Sequence, residues 1–287
     1  MGVEALPTVE IRPWDGQRRV TVLLMGIDQR PGEQGTGFRT DTLILISMDP
    51  ATNSVGMLSI PRDLRVPIPG HADMQPINAA YVLGELSRPG YGPQLAAETV
   101  QYNLGMAIDH YVVLSFTAVI NLIDAIGGIV VDVPSPIVDE EFPDLYTYGY
   151  DPLYIPAGRI EMDGLLALKY ARTRHQDTDF DRTRRQQQVI MAIRDRVLRP
   201  EMLPRLVAQA PVIWNEVSRG IITDFSFEEL LSIGWYAKDI PAENIRRGAL
   251  DGAHILATQY QGRSILTINR NTIADLMVEV FGPDYNR

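Results

Sequence analysis

The chain has 287 residues, 45% of them hydrophobic and 22% charged, and contains no cysteine. That is ordinary globular composition, with length for one large α/β domain or two small ones, and it excludes disulfides, thiolate metal sites and cysteine nucleophiles. A formal net charge of −10 excludes nucleic acid as the bulk partner, since gripping a phosphate backbone takes a broad basic face.

Residues 1–17 are polar and contain prolines, and read as an extended lead-in; the start lacks the basic and apolar stretches of a signal peptide. Val20–Met25 is a short apolar run ending at Gly26, the pattern of a buried strand. Gln29–Gly37 carries three glycines and a proline and is a loop. Thr42–Met48 predicts a second strand, Asp49-Pro50-Ala51-Thr52-Asn53 a turn, and Val55–Ile60 a third strand stopped by Pro61. A strand at Tyr111–Phe116 lies between helices at Pro93–Leu104 and Thr117–Ile126, the second ended by Gly127-Gly128. Ile129–Val133 is a further strand. Pro134–Pro156 is acidic, aromatic and proline-bearing, and is expected to be a long surface excursion. Asp163 N-caps a helix through Tyr170, and another helix covers Arg182–Leu198. Ser226-Phe227-Glu228-Glu229 forms a capping box; a strand at Ser264–Ile268 and a helix at Thr272–Phe281 close the chain. The longest apolar region, Tyr111–Val131, is broken by Asn121, Asp124 and the glycine pair, which suits strand and helix better than a membrane span. With no repeat and no linker rich enough to divide it, the chain is expected to form one domain over 18–287.

Two groups of arginines beside aspartates stand out. If the second strand runs antiparallel to the first and third, chain direction alone brings three points to one sheet edge: Asp28, then Arg39 and Asp41, then Arg62 and Asp63. Guanidinium forks suit phosphate oxygens, and carboxylates supply the oxygens that a magnesium ion takes alongside substrate phosphates. The plainer reading gives Asp28 a turn-capping role, Asp41 a strand-start role and Asp63 a simple pairing with its neighbour.

The second group runs through Arg172, Arg174, Arg182, Arg184 and Arg185. At 100° per residue, Arg182 and Gln186 share an inward stripe with Val189, Ile193 and Val197, whereas Arg184 and Gln187 fall on the solvent side. An inward arginine at a helix N-terminus suits a bound anion, or else pairs with Asp179 or Asp181. Arg172 and Arg174 alternate beyond a helix end, either as ligands or as compensation for the helix dipole. His175 beside them reads as incidental.

The motifs resemble the LytR–CpsA–Psr (LCP) family. Its first half is matched by Gly26-Ile27-Asp28, Arg39-Thr40-Asp41, Ser59-Ile60-Pro61-Arg62-Asp63, Ile77-Asn78-Ala79-Ala80-Tyr81 and Gly127-Gly128. The second half is matched by Asp163-Gly164, Tyr170-Ala171-Arg172-Thr173-Arg174, Asp179-Phe180-Asp181-Arg182 and Arg185-Gln186. The resemblance implies an α/β/α sandwich with a central mixed β-sheet and an apolar channel for a lipid. It implies an enzyme that moves a glycopolymer from a polyprenyl-pyrophosphate carrier onto peptidoglycan, at the muramic acid 6-hydroxyl, releasing polyprenyl phosphate. By the same resemblance Asp28 and Asp41 hold Mg2+, and Arg39, Arg62, Arg172 and Arg174 contact the pyrophosphate. Asp179, Arg182 and Gln186 complete the polar lining, and Asp63 or Asp179 is the candidate general base. The expected setting is the extracytoplasmic face of a bacterial membrane, with an anchor helix ahead of this chain, a monomeric state and no nucleic acid partner. Pro76 departs from the basic residue that many members carry there, which puts one phosphate contact in doubt. A lipid-pyrophosphate binding module or a pyrophosphate hydrolase would use the same residues.

Overall fold

The computed structural model describes residues 14–286, leaving out 31, 34, 36, 148, 174–178, 203–207, 209–212 and 215–217, together with the side chains of 179, 180 and 219. In chain order the first elements are β1 (Val20–Ile27), β2 (Thr40–Asp49), β3 (Ser54–Ser59), β4 (Arg65–Val66), β5 (Gln75–Pro76), α1 (Ala79–Ser87), α2 (Gly92–Leu104), β6 (His110–Leu114) and α3 (Phe116–Ala125). Next come β7 (Ile129–Val133), β8 (Ile137–Asp139), β9 (Leu153–Ile155), β10 (Gly158–Met162), α4 (Gly164–Arg172), α5 (Asp179–Val197) and β11 (Ile221–Thr223). The last are α6 (Phe227–Ala237), β12 (Ile245–Ala249), β13 (Ile255–Tyr260), β14 (Arg263–Ile268) and α7 (Ile273–Phe281).

The chain forms two compact units. One comprises Asp15–Ser115, Ile222–Phe225 and Asp239–Arg287; the other comprises Phe116–Ile221 and Ser226–Lys238, with Trp14. The first is built on a six-stranded sheet ordered β11-β6-β1-β2-β3-β12. β2 is antiparallel to both β1 and β3, whereas β6 runs parallel to β1 and β12 parallel to β3, so the sheet is mixed as expected. Alternation sorts its two faces. Leu23, Met25, Leu43, Leu45, Leu58 and Ile60 are buried together with side chains of α1, α2 and α7. Across the sheet, Ile44, Met48 and Met57 are buried and Val22, Leu24, Ile46 and Val112 half-buried. α7 lies so close that a Cβ on Gly56 would sit 2.4 Å from the Phe281 ring and 2.6 Å from the Val280 carbonyl.

The second unit has its own core of Ile123, Ile129, Val131, Phe142, Leu153, Met162, Tyr170 and Val189. α3 ends where Gly127 and Gly128 take φ of 74° and 79°, a conformation costly for residues with a Cβ. Asp163 Oδ1 caps α4 by accepting from Leu166 N at 2.8 Å. The predicted capping box opens α6: Glu229 N donates to Ser226 Oγ at 3.2 Å, and Ser226 N to Glu229 Oε2 at 2.8 Å.

The reading of 134–156 as a surface excursion is corrected. β8 and β9 pair as an antiparallel ribbon whose inner residues Ile137, Phe142, Leu145, Leu153 and Ile155 are buried. Prolines and acids are frequent there, yet Ile137 and Asp139, like Leu153 and Ile155, alternate onto a buried face.

Candidate active site

In the sheet unit, antiparallel pairing brings the exit of β1, the entrance of β2 and the exit of β3 to one edge, as chain direction implied. The register breaks there: Gly26 opposes Thr42 and Ile27 opposes Thr40, leaving Asp41 as the extra residue of a bulge. A bulge bends its strand and re-aims a side chain, which is why bulges gather beside functional sites. Arg62 Nη1 donates to Asp41 Oδ1 at 2.6 Å, and Arg62 Nε lies 3.5 Å from Asp63 Oδ2. Arg39 and Asp63 are exposed; Asp28, Asp41 and Arg62 are half-buried.

The loop that presents Arg62 is locked from behind. Pro61–Leu64 closes as a turn, with Leu64 N donating to Pro61 O at 3.2 Å. Ile77 N then donates to Leu64 O at 2.8 Å and Asn78 N to Arg62 O at 3.2 Å. Buried Leu64 and Ile77 pin both segments to the core. The Ile-Asn-Ala-Ala-Tyr motif is therefore a brace for the arginine loop, whatever residue stands at Pro76.

Three buried oxygens at this end, Asp28 Oδ1, Thr40 Oγ1 and Asn78 Oδ1, have no hydrogen-bond partner. A buried unsatisfied oxygen costs about 1–3 kcal/mol, a cost that a bound water or a ligand would remove. A cation answers an orphaned carboxylate oxygen. Among the described residues no group of three or more His, Cys, Asp or Glu could hold a metal. Two carboxylates, Asp28 and Asp41, nevertheless suit magnesium, which keeps several waters and takes substrate phosphates as further ligands.

In the second unit, Arg172 leaves the last turn of α4 with its guanidinium 4.1 Å from the Phe116 ring centre and 5.4 Å from that of Phe142. Aromatic faces hold a guanidinium plane without using up its donors. The chain just beyond is fixed by α5: Arg185 Nη2 donates to Thr173 O at 2.5 Å, and Gln186 Nε2 lies 3.5 Å from Ala171 O. Buried Thr173 donates its hydroxyl to buried Asp139 at 2.6 Å. Arg182 is buried and Arg184 exposed, as helical phase required. Gln187 is buried too, against expectation, because a second side of α5 is also covered. Arg174 and His175, and the Asp179 side chain, lie outside the described residues.

Sequence reasoning named Arg185 and Asn78 only as parts of motifs and gave neither a role. Arg185 stands four and seven positions before Val189 and Ala192, all buried, so helical phase could have found it. Asn78 carried no such signal, since its part depends on a loop remote in sequence.

The model of the LytR_cpsA_psr family matches residues 4–279, across both units. The chain is 32% identical over 206 residues to the polyisoprenyl-teichoic acid–peptidoglycan teichoic acid transferase TagU of Bacillus subtilis, covering 71% of this chain and 60% of that protein. It is 39% identical over 175 residues to TagU of Oceanobacillus iheyensis, covering 60% of this chain and 50% of that one. The chain thus spans 50 to 60% of the length of these relatives. The crystal structure of B. subtilis TagV matches with a TM-score of 0.71 at 28% identity, over 91% of this chain and 94% of that one.

Proposed function

Since this chain belongs to the LytR–CpsA–Psr family, we propose that residues 18–287 are a catalytic domain that transfers a cell-wall glycopolymer from a polyprenyl-pyrophosphate carrier onto peptidoglycan. The carrying observation is the sheet edge where bulged Asp41, Arg62 and the orphaned oxygen of Asp28 come together in a chain matched by transferases of this kind. Asp28 and Asp41 would hold Mg2+, which when bound draws charge off the phosphate oxygens. Arg39 and Arg62 would take the remaining phosphate oxygens and stabilise the charge that grows on the leaving group.

In the reaction an acceptor sugar hydroxyl attacks the phosphorus that bears the glycopolymer. A new P–O bond forms to peptidoglycan, the P–O bond to polyprenyl phosphate breaks, and the hydroxyl proton passes to a carboxylate. Asp63, exposed beside Arg62, and Asp179 are the candidates for that base. Val22, Leu24, Ile46 and Val112, half-buried on the face of the sheet away from α1, α2 and α7, would offer apolar contact to the isoprenoid chain. This chemistry belongs on the outer face of the cell membrane. No helix among the described residues is long and apolar enough to cross it.

Incubation with a polyprenyl-pyrophosphate glycopolymer, with and without peptidoglycan, tests the reading. Polymer should become covalently attached to peptidoglycan in step with polyprenyl phosphate release. Release without attachment would make the protein a hydrolase, and binding with no release would make it a carrier module.

A further inference from the structure

The ribbon of β8 and β9 has a second face that the mechanism leaves unused. Its inner residues are core, but Tyr154 is 67% exposed, and its direct cross-strand partner Val138 is 39% exposed. Between the two strands, towards the tip, the pairing resumes at the Pro143–Tyr150 bridge, where Tyr150 is 67% exposed, and Tyr146 at the tip is 71% exposed. Single exposed apolar residues need no explanation, whereas several large rings on one short ribbon mark an interaction surface.

The rings stand on a braced frame. Phe142 and Leu145 are buried beneath it, and Lys169 pairs with Asp151 at its base. At the tip the Asp144 carboxylate accepts from the amides of Tyr146 and Thr147, which holds it below the ordinary carboxylate range. Asp151 N donates to Phe142 O at 2.8 Å and Asp144 N to Gly149 O at 3.0 Å. A ring already fixed by its backbone loses little entropy when it binds.

We propose that Tyr146, Tyr150 and Tyr154 form a stacking platform for the glycan strand of the acceptor, a neutral chain of hydroxyl-bearing sugars. Charge decides between occupants. The same ribbon carries the exposed acids Glu140 and Glu141. An anionic membrane surface or a polyphosphate chain would be repelled by them, and interfacial helices and segments that seek such surfaces carry Lys and Arg instead. A sugar chain offers apolar C–H faces to the rings and hydroxyl donors to the carboxylates. This inference deepens the transferase reading and rests on it for the identity of the acceptor.

Cosedimentation with insoluble peptidoglycan stripped of its anionic polymers tests it, with no lipid donor present. The unaltered protein should bind, and a Tyr150→Ala/Tyr154→Ala variant should lose roughly tenfold in affinity, the scale of two aromatic contacts. Tyr150→Phe/Tyr154→Phe should keep most of it, and an unchanged melting temperature confirms that each variant is folded. In the transfer assay the alanine variant should raise KM for peptidoglycan and leave binding of the lipid donor unchanged. Equal sedimentation of the alanine variant and the unaltered protein overturns the proposal. So does tyrosine-dependent binding to phosphatidylglycerol or phosphatidylcholine vesicles without binding to peptidoglycan. Tyrosine-dependent sedimentation in a protein that transfers nothing would sink the transferase reading alone.

Discussion

Arg62 reaches back across the sheet edge to Asp41, 2.6 Å away, and so ties the exit of β3 to the bulged entrance of β2. Both side chains remain partly open to solvent, at 20% and 32% exposure, so the pair is held in place but accessible. A partly exposed ion pair contributes at most about 1 kcal/mol to stability. Under the proposed function its worth lies in preorganisation, since the pair holds the guanidinium in place before a phosphate arrives.

Arg62→Ala should therefore lower the rate of polyprenyl phosphate release by about a hundredfold or more, the loss typical of one transition-state donor. Its melting temperature should stay within a few degrees of the original. Arg62→Lys should restore little, since an ammonium cannot replace a planar fork of donors. A folded Arg62→Ala protein with full activity would remove the arginine from the mechanism.

Asp28 carries a buried oxygen without a partner. Asp28→Asn keeps the shape and removes the charge, so without metal the variant should be as stable as the original or more so. Mg2+ should raise the melting temperature of the original protein and leave that of Asp28→Asn unmoved. Differential scanning fluorimetry across a magnesium titration reads both. An equal rise in the two proteins would place the ion elsewhere.

Gly164, next to the capping Asp163, has no room for a methyl group: a Cβ there would sit 2.2 Å from the Ile120 carbonyl oxygen of α3. Its amide also donates to Asp124 Oδ1 at 2.7 Å. Gly164→Ala should force α3 and α4 apart and cost about 2–3 kcal/mol, as overpacking against backbone does. Urea unfolding should show the midpoint fall accordingly.

Tyr81 is pushed up from 10.0 to about 12, first by burial and then by Glu85 and Tyr111. The folded protein then keeps a phenolic proton that the unfolded chain loses between those values, so stability is full below pH 10 and falls as pH rises towards 12. Tyr81→Phe removes this titration. Its stability should decline less steeply than that of the unaltered protein from pH 10 to 12, with the two curves parallel below pH 10. Parallel curves throughout would show that Tyr81 ionises freely in the folded state.

Much of the sheet unit was legible because its signals are local. The runs at Val20–Met25, Thr42–Met48 and Val55–Ile60 located three strands to within two residues at each end, and the short turn after Asp49 made the second and third antiparallel neighbours. The Gly127-Gly128 pair, the Asp163 N-cap and the Ser226 capping box each gave one end of α3, α4 and α6. β12 and β13 were missed: Arg246, Arg247 and Gly248 interrupt any strand pattern, and β12 is a strand because β3 lies beside it to pair with.

The order of the residues alone determined which side chains could carry phosphate chemistry, and chain direction already placed Asp28, Asp41 and Arg62 at one end of the strands. Only the folded chain decided that Asp41 is the bulged residue, that Arg62 meets it, and that Asn78 braces the loop that carries Arg62. Those outcomes depend on register and on hydrogen bonds between segments distant in sequence, which no local period encodes. The same holds for 134–156, where composition read as surface and alternate residues proved to be core, because burial is set by what packs against a strand.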